Sequence, residues 1–533
     1  MPRVSAFASS FLCGLGCAVA LLAAACTGPA GTRAAPQWAP DSATVRVAAG
    51  PQYARGAVWR FFWGTHYRDI WATPVTVPVV HLATALPGGL TPMQAGGSYQ
   101  SHTLRLCSAT GQEFVLRSVD KDASGALPIG WKRRLLGRLM KDQTSAAQPY
   151  GAYVAAQLAE AAGVFHSNPR LVYVPNDTAL GRFRTRYAHA LYLLEERPDG
   201  NQTAMASFGS SPIVVSTAHM LADIRQRSSA RVEARAYLRA RLLDIWLGDW
   251  SRREDQWRWA GFPRPGGMRY RPIPRDRDQA FFLFDDGLIT RLVSWFIPKY
   301  HSFGETIRPS GVNGLTTTAR ALDRTLLGSL SAADFRQEAD SLRARLTDAA
   351  IARALQAGPP ETRAAVTAKL GPALRARRGQ LPEVAQRYFR ILAGEAWLVG
   401  TDQAERFVLS AAGRGRLRVQ QFVRRGPAPD SLVAEQVYDR KSTYQLNIYG
   451  LAGDDIFEVR SPLSPGFAIN IFDGAGRDHF LNPADEAIAN LTWYSSSDGN
   501  TVQHASRIAI KPNPDAQLTA NGAGWLRRYN LQD

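Results

Sequence analysis

The sequence predicts an α+β fold that is followed by a small all-β domain. From residue 46 to about 197, short alternating apolar runs between glycine-rich turns favour strands. From about 198 to 398, apolar residues spaced three and four apart favour helices. After residue 399, short alternating segments return and indicate a β-sandwich or a solenoid-like domain to about residue 490. Residues 491–533 are polar and weakly patterned, and we predict a tail there.

The N-terminus has the pattern of an export signal over residues 1–25. One basic residue, Arg3, precedes an apolar run that ends in the letters LAAAC at residues 22–26. We therefore predict a lipid on Cys26, followed by a flexible tether rich in Ala, Pro, Gly and Thr over residues 26–45. A transmembrane anchor is the alternative, but the run is shorter than the roughly 20 residues that a spanning helix needs. The residue directly after the cysteine, Thr27, is not an aspartate, and this favours the outer over the inner membrane. The expected location is the bacterial cell envelope, facing the periplasm or the cell surface.

The charge balance predicts attraction to anionic surfaces. The formal net charge is +18, and arginine dominates the basic residues. Such a protein is drawn to phospholipid head groups, lipopolysaccharide or phosphate-bearing ligands. Nucleic acid is not expected as a partner, because the chain is predicted to be exported and its basic residues are scattered.

The elements of the first part follow from periodicity. A hairpin is predicted where two alternating runs flank the turn at residues 110–111, and apolar spacing predicts a helix over residues 150–164. The predicted strands cover residues 75–80, 103–106, 113–119, 171–174 and 190–196.

The second part is predicted to be helical around one polar loop. A helix from about residue 231 to 247 leads into a run in which four tryptophans stand among charged residues, between Trp246 and Trp259. Because buried tryptophan needs cover and charges need partners, this run predicts a buried ion-pair network that lines a cleft. Residues 331–334 resemble a capping box that begins a further helix.

Three segments resemble protein-kinase-like proteins. Residues 193–199, LLEERPD, resemble the hinge of HipA-type kinases. Residues 247–256, LGDWSRREDQ, resemble the D-R-H-x-x-N catalytic loop of HipA, phosphoinositide and secretory-pathway kinases, and residues 274–281, PRDRDQAF, resemble the metal-binding Asp segment that follows it. The resemblance implies a bilobal kinase-like domain with an N-lobe at about 46–197 and a C-lobe with extra helices at about 198–398.

The resemblance also implies which residues bind a nucleotide. Gly96 and Gly97 would allow the backbone to approach phosphates. Arg117 would stand where kinases place a phosphate-pairing lysine, with Lys121 as the second candidate. Glu160, on the helix, would hold that cation in place.

The implied cofactor is ATP with Mg²⁺ or Mn²⁺. Glu196 would contribute to cofactor binding from the hinge. Asp276 and Asp278 would bind the metal that bridges the phosphates, and Gln256 takes the place of the metal-binding asparagine. The two aspartates could equally be salt-bridge partners of the basic residues around them, and the glycine pairs and Glu160 could be ordinary turns and a solvated helix residue.

The catalytic loop departs from the motif. Aligning Arg252 on the motif arginine puts Ser251 at the catalytic aspartate and Arg253 at the histidine. A serine hydroxyl cannot accept the substrate proton as a carboxylate would. Either Asp249 or Asp255 has taken over as the catalytic residue, or this chain only binds its ligand.

A wider stretch, from about residue 53 to 478, resembles a bacterial family known as the region joined to calcineurin-like phosphoesterases or BamA-type surface-antigen barrels. The family reads GDWDRH at the loop, so Ser251 and Arg253 are departures here too. The resemblance implies an outer-membrane barrel protein or an anionic glycolipid as partner, with the lipid as the anchor. The matching motifs are YRDIW at 67–71, GGLTP at 88–92, LRSVDKD at 116–122, EERPDG at 195–200, GDW at 248–250 and PIPRDRDQ at 272–279.

Two glycine-rich runs in the C-terminal part, GLAGDDIF at 450–457 and DGAGRDHF at 473–480, resemble calcium-binding β-roll repeats. The resemblance implies Ca²⁺ ligation by Asp455 and Asp478. The alternative is glycine turns between solenoid-like strands without metal.

Two functions remain open at this stage. The first is a kinase-like, degenerate domain that binds a nucleotide or phosphate ligand, or that phosphorylates an envelope component. The second is a non-catalytic envelope scaffold that presents a basic, tryptophan-rich cleft to a membrane protein or a glycolipid.

Overall fold

The structure is a computed structural model that describes residues 38, 43–96, 102–121, 131–463, 465–483, 485, 487–488, 490–497, 499–529 and 531. The predictions on residues 1–25, on Cys26 and on Gly97 lie outside these residues. Among the described residues, no helix has both the length and the apolar character needed to cross a membrane.

The predicted α+β fold is confirmed, and its first part is built on a five-stranded antiparallel sheet in the order β3-β4-β5-β7-β6. β1 and β2 pair separately. The strands are β1 (Thr44–Ala48), β2 (Pro74–Pro78), β3 (Leu90–Gly96), β4 (Thr103–Ser108), β5 (Glu113–Ser118), β6 (Arg170–Val174) and β7 (Ala190–Glu196). The helices are α1 (Ala57–Trp63), α2 (Arg68–Ala72), α3 (Trp131–Asp142), α4 (Gly151–Ala162) and α5 (Arg184–Tyr187).

Alternation along these strands decides which side chains face the functional region. Phe114 and Leu116 of β5 pack into one apolar cluster, on one face of the sheet. Leu193, which lies opposite Arg117 in the strand pairing, packs into another cluster together with Leu158 of α4. Because neighbouring side chains of a strand point to opposite faces, Arg117 lies on the face that α4 covers.

The second part combines a four-stranded sheet, in the order β8-β10-β11-β9, with eight helices among the described residues. The strands are β8 (Ile213–Ser216), β9 (Ala230–Val232), β10 (Trp257–Arg264) and β11 (Gly267–Pro274). The helices are α6 (Thr217–Gln226), α7 (Ala234–Leu247), α8 (Leu288–Phe296), α9 (Pro309–Thr316), α10 (Arg320–Leu327), α11 (Ala332–Arg345), α12 (Asp348–Leu355) and α13 (Arg363–Gly394).

Helix α7 is the centre of this part, because ten of its residues are buried. It ends at Gly248, whose φ of 70° is left-handed and is adopted by glycine without a steric penalty. The chain then turns into the predicted polar loop, so the C-terminal cap of α7 places that loop at the edge of the core.

The strand-rich C-terminal region is a solenoid of stacked parallel strands. β16, β18, β20 and β22 stack in one sheet, while β13, β17, β19 and β21 stack in a second sheet. The step is 23 residues where Gln445 lies opposite Ala468 and where Ile456 lies opposite His479. The strands are β12 (Glu395–Val399), β13 (Glu405–Ala411), β14 (Arg416–Arg425), β15 (Ala428–Asp439), β16 (Gln445–Tyr449), β17 (Ile456–Val459), β18 (Ala468–Phe472), β19 (His479–Leu481), β20 (Leu491–Ser495), β21 (Thr501–Val502) and β22 (Ala509–Pro512).

The stacked strands continue past residue 490, where we predicted a polar tail. β20, β21 and β22 extend both sheets, and the short helices α14 (Ala516–Thr519) and α15 (Gly522–Leu526) follow. Trp525 is fully buried, with its ring centroid 4.7 Å from that of Tyr449 and 5.6 Å from that of Trp397. The described part of the segment is therefore integral to the core, because its few large apolar residues complete the end of the solenoid.

The predicted calcium ligands instead join successive turns of the solenoid. The Asp455 Oδ1 accepts a hydrogen bond from the Glu405 backbone N–H at 2.7 Å, and the Asp478 Oδ1 accepts one from the Asp455 N–H at 2.9 Å. Asn500 accepts the next one, from the Asp478 N–H, at 2.8 Å. Within the described ranges, no group of three or more His, Cys, Asp or Glu residues is arranged to hold a metal ion. The calcium prediction is therefore not supported, since these carboxylates accept hydrogen bonds from backbone N–H groups of neighbouring turns.

Candidate functional site

Two ion pairs join the first part of the protein to the acidic segment that follows β11. The Arg117 Nη1 of β5 lies 2.9 Å from the Asp276 Oδ2. The Lys121 ammonium, four residues further on, pairs with the Asp278 carboxylate. Four residues that the sequence placed at one site therefore converge, although the partners are 159 and 157 positions apart in the chain.

Arg252 holds the acidic segment in position. Its guanidinium is fully buried and donates to the backbone carbonyls of Arg275 and Asp276, the latter at 3.2 Å. Asp276 has a φ of 55°, a left-handed conformation that is uncommon for a residue other than glycine. Non-glycine residues in this region persist where the surroundings impose them, which is typical of functional sites.

The electrostatics of the acidic pair are unequal. Burial would raise the pKa of Asp276, but the charges of Arg117 and Lys121 outweigh it and lower the pKa to about 2. The pKa of Asp278 is raised by burial and by the neighbouring Asp276 charge. The pKa of Arg117 is raised, because Asp276, Glu195 and Asp278 outweigh the effect of its burial. Asp276 is thus the firmly ionised carboxylate.

The chemistry of two oxygen atoms fits a divalent cation at this place. The Asp276 Oδ1 and the Gln256 Oε1 are buried and have no hydrogen-bond partner. The Arg275 backbone N–H donates to the Gln256 carbonyl at 2.9 Å, which brings the two segments together. Mg²⁺ prefers oxygen ligands and is commonly bound by one or two carboxylates together with phosphates of the ligand. The unpartnered oxygens of Asp276 and Gln256 are of the kind that Mg²⁺ prefers, while Asp278 is engaged by Lys121. Among the described residues, however, no group of three or more His, Cys, Asp or Glu residues is arranged to hold a metal ion.

Asp249, a predicted catalytic residue, is enclosed. It is fully buried, its carboxylate pairs with Arg252, and its Oδ1 accepts the Ser251 N–H at 3.1 Å. Burial raises the pKa of Asp249 to about 6, against the lowering effect of Arg252. This arrangement argues against the predicted role as a catalytic base and gives Asp249 the role of fixing the loop.

The other candidate base, Asp255, is bound by its neighbour. The Arg253 guanidinium donates to both of its oxygens at 3.0 Å. Ser251, at the motif position of the catalytic aspartate, has its hydroxyl 3.3 Å from the Gln256 Nε2. Within the loop, therefore, both predicted catalytic bases form ion pairs: Asp249 with Arg252, and Asp255 with Arg253.

The cation of β5 has a different acidic neighbour from the one predicted. Glu160 is exposed on α4, whereas Glu195 lines the same cavity as Arg117, and its charge raises the pKa of that guanidinium. Glu195 is buried, which raises its pKa, and accepts a hydrogen bond from the Ser167 hydroxyl at 2.9 Å. The signal that could have found it is the alternation of β7, which puts Glu195 on the same face as Leu193.

Two further residues that we predicted to bind the cofactor, Glu196 and Gly96, lie at the edge of the candidate site. Glu196 is buried, and its Oε2 accepts the Asn168 N–H at 3.0 Å. Gly96 is the exposed last residue of β3, opposite Thr103. The geometry therefore gives Glu196 a structural partner and leaves Gly96 at the edge of the sheet.

A small cavity of about 10 Å³, room for about one water molecule, lies beside the Arg117–Asp276 pair, between the end of β7 and the end of β11. The Arg275 side chain lines this cavity. Burial, together with the charges of Arg258, Arg197 and Arg117, lowers the pKa of Arg275 to about 9. Three arginines, Arg117, Arg197 and Arg275, thus line the cavity together with Glu195 and Glu196, a cluster that the sequence did not indicate.

A second, more open cavity of about 380 Å³ has Gly248 in its wall. Arg377 lines it and is held by three backbone carbonyls, including that of Trp246 at 2.7 Å. Burial lowers the pKa of Arg377 to about 9.

Two solved structures are similar to this chain. One is the Helicobacter pylori proinflammatory kinase CtkA, with 9% identity over 58% of this chain and 99% of that chain, at a TM-score of 0.29. The other is the Shewanella oneidensis MR-1 toxin–antitoxin complex of HipA and HipB with operator DNA, with 13% identity over 66% of this chain and 73% of that chain, at a TM-score of 0.24. At TM-scores this low, neither likeness assigns an activity to the chain. No family model matches the chain, and no curated protein matches it either.

Proposed function

We propose that the cleft between β5 and residues 276–278 binds a nucleotide or another phosphate-bearing ligand within a kinase-like domain, and that its catalytic activity is weak or lost. The observation that carries the proposal is the pair of ion pairs, Arg117 with Asp276 and Lys121 with Asp278. Phosphoryl-transfer sites need this combination of phosphate-binding cations beside metal-binding carboxylates.

The order of elements supports a bilobal kinase-like domain. Arg117 is on the third strand of the sheet in chain order, β3 to β5, and kinases carry their phosphate-pairing lysine on the third strand. Helix α4 follows, then the strand β7 with its linker, then the loop after α7 and the acidic segment. The proposed N-lobe and C-lobe would meet at the two ion pairs.

Each residue of the cleft would have its own role in binding the ligand. Asp276 and Gln256 would hold the cation, which would neutralise the charge of the phosphates. Arg117 and Lys121 would exchange part of their carboxylate contact for phosphate oxygens. Arg252 would keep the acidic segment in place through the carbonyls that it binds.

Binding is favoured over turnover because no free carboxylate stands in the described loop. Ser251 occupies the motif position, Asp249 is buried against Arg252, and Asp255 is bound by Arg253. A general base must reach the proton that it accepts, and neither aspartate does so in this arrangement.

We expect ATP with Mg²⁺ to raise the melting temperature of the purified full chain. At a ligand concentration of about 100 times Kd, binding stabilises by about 2.7 kcal/mol, which corresponds to several degrees. The change Asp276→Asn should abolish this shift, because it removes the firmly ionised carboxylate. The measurement is differential scanning fluorimetry with ATP, ATP plus Mg²⁺, ATP plus Mn²⁺, and each metal alone.

The matched control is Asp69→Asn, which removes a carboxylate from the exposed pair with Arg60 and should leave the nucleotide shift unchanged. Because Asp276→Asn could also weaken the fold, the melting temperature without nucleotide is measured for each variant. If no nucleotide shifts the wild-type chain, the nucleotide site is excluded and the scaffold function is left.

The second candidate function is that non-catalytic envelope scaffold. It is favoured by the size of the cavity beside Arg117, about 10 Å³, which is far below the usual 300–1,000 Å³ of ligand pockets. In this alternative the cationic cleft would bind an outer-membrane protein or an anionic glycolipid, and the ion pairs would only join the two parts. Phosphorylation of an envelope component remains a proposal, because it would require catalytic turnover in addition to nucleotide binding.

We also propose that the chain is lipid-anchored in the envelope through Cys26, on the support of the LAAAC motif. Cells that express the chain should incorporate a labelled fatty acid into it and retain it in the membrane fraction. The change Cys26→Ser should abolish the label. The opposite result, an unlabelled wild-type chain or a label that persists in Cys26→Ser, would contradict lipidation at this residue.

A further inference from the structure

Helix α8 has an inverted distribution of side chains. Its buried residues are the polar Thr290 and Ser294. Its large apolar residues point outward: Leu292 is 51% exposed, Trp295 is 76% exposed and Phe296 is 79% exposed. A helix of a water-facing surface has the opposite pattern, so α8 presents a face that water does not favour.

Helix α1 extends the same surface. None of its residues is buried, and Val58 and Phe61 are 75% and 63% exposed. The two helices are in direct contact, because the backbone at Gly287, which precedes α8, lies against the backbone at Phe62–Gly64, which ends α1. We call α1 and α8 together the apolar surface. Large contiguous apolar patches of this kind mark sites of interaction with proteins or membranes.

We propose that the apolar surface docks into the head-group region of an anionic lipid bilayer. Tryptophan, phenylalanine and leucine on a short surface helix are the residues that enter the boundary between head groups and acyl chains. The proposal does not depend on the nucleotide site or on the lipid at Cys26, because it concerns a separate surface that could bind a bilayer by itself.

Basic residues border the apolar surface on the side of α3. The last residue of α3, Asp142, accepts a hydrogen bond from the Trp59 Nε1 at 3.0 Å and pairs with Arg55 at 3.1 Å, which ties α3 to α1. On α3 itself, Arg138 is exposed, and Lys141 directly precedes Asp142. Arg291 of α8 is exposed among the apolar side chains.

Charge complementarity decides in favour of an anionic bilayer. Each basic residue near a negatively charged membrane surface adds about 1 kcal/mol of attraction. The net charge of the chain is +18, and the apolar side chains supply the part that inserts. A protein partner would need an apolar face of its own with acidic residues around it, whereas an anionic bilayer offers both properties together.

The position of the apolar surface in the chain agrees with this. Helix α1 begins at residue 57, close to the first described residues. Trp38 packs against Phe114, with ring centroids 5.3 Å apart, so only the part of the proposed tether before it, residues 26–37, can extend, to about 40 Å.

The experiment is hydrogen–deuterium exchange of the purified full chain with vesicles of phosphatidylglycerol and phosphatidylethanolamine, with vesicles of phosphatidylcholine, and without lipid. We expect amides in residues 57–63 and 288–297 to exchange at least about fivefold more slowly with the anionic vesicles, because docking removes them from water. The effect with phosphatidylcholine should be smaller. Amides of β13 should not change and serve as the internal reference.

Two double variants make the assignment specific. Trp295→Ser with Phe296→Ser should lose the protection, while its melting temperature should be retained because both side chains are exposed. Leu432→Ser with Val437→Ser removes two exposed apolar residues of β15, 51% and 43% exposed, and should keep it. If the wild-type chain shows no protection with either vesicle, or if the first variant stays protected, the bilayer proposal is overturned and a protein partner becomes the better explanation.

Discussion

We expect Asp244→Ala to lower the free energy of unfolding by about 3–5 kcal/mol, because it leaves buried arginines without their shared carboxylate. Asp244 is fully buried on α7 and lies 3.2 Å from Arg241, 3.4 Å from Arg252 and 3.2 Å from Arg277. Breaking a buried pair costs far more than the pair itself contributes, since the remaining charges stay out of water. A loss of this size is a large fraction of the roughly 5–15 kcal/mol that stabilises a folded protein.

The loss is measured by urea unfolding followed by circular dichroism. The matched control is Asp340→Ala, whose pair with Arg343 is exposed and spans one helical turn. Exposed pairs contribute about 0–1 kcal/mol, so the control should be nearly neutral. Equal losses in the two variants would show that the arginines around Asp244 find water or other partners, and the network would then not be what fixes the loop after α7.

Asp244 also shows what could be predicted from the sequence. The tryptophan-rich, charged run between Trp246 and Trp259 indicated a buried ion-pair network, and Arg252 and Asp249 do pair in the core. The run could not indicate that the centre of the network is Asp244, which lies two residues before it on α7. Which charges pair is decided by packing against distant elements such as α10, which supplies Asp323.

Strand positions were predictable because alternation is local. The predicted strands at 171–174 and 190–196 coincide with β6 and β7 within one residue, and that at 113–119 with β5. Each strand after residue 490 is short and pairs with a strand about 22 residues earlier, as Leu491 does with Ile469. For this reason the sequence pattern did not reveal these strands. Their stability comes from the stack, which a single segment does not reveal.

The sequence predicted the acidic and basic residues that form the two ion pairs of the candidate site, but not the acidic neighbour of Arg117. Arg117, Lys121, Asp276 and Asp278 came from motif resemblance, and they meet. The choice of Glu160 failed because it came from the resemblance to kinases: Glu160 is two positions, or about 200°, from the buried Leu158 and lies on the exposed face of α4.

The second large effect is expected in the solenoid, where Asp478→Asn should stabilise the protein at neutral pH. Burial raises the pKa of Asp478 to about 7, and the pKa of Asp455 is also raised, by burial and by the charges of Glu405 and Asp478. The Oδ2 atoms of both aspartates are buried without a hydrogen-bond partner. Holding these carboxylates ionised therefore costs stability, which an amide at the same position would not.

The direction of the pH dependence follows from the raised pKa. Below about pH 4 the carboxyl is protonated in both the folded and the unfolded chain, so wild type and Asp478→Asn should be similar. As the pH rises from about 4 to about 7, the unfolded chain loses its proton more readily than the folded one, and the wild type loses stability. Above pH 7 the variant should be more stable by on the order of 2 kcal/mol, allowing for residual solvation of the carboxylate.

Asparagine is compatible with this position because the chain already uses it one turn further along, where Asn500 accepts the Asp478 N–H at 2.8 Å. The measurement is the melting temperature by calorimetry at pH 4.5, 6 and 8, and the gain should amount to several degrees at pH 8. The control is Asp454→Asn, because Asp454 is exposed yet accepts the Arg477 N–H at 2.9 Å, much as Asp478 accepts the Asp455 N–H. A gain for Asp478→Asn that is the same at pH 4.5 and pH 8 would show that buried charge is not its cause, since only ionisation distinguishes the two conditions.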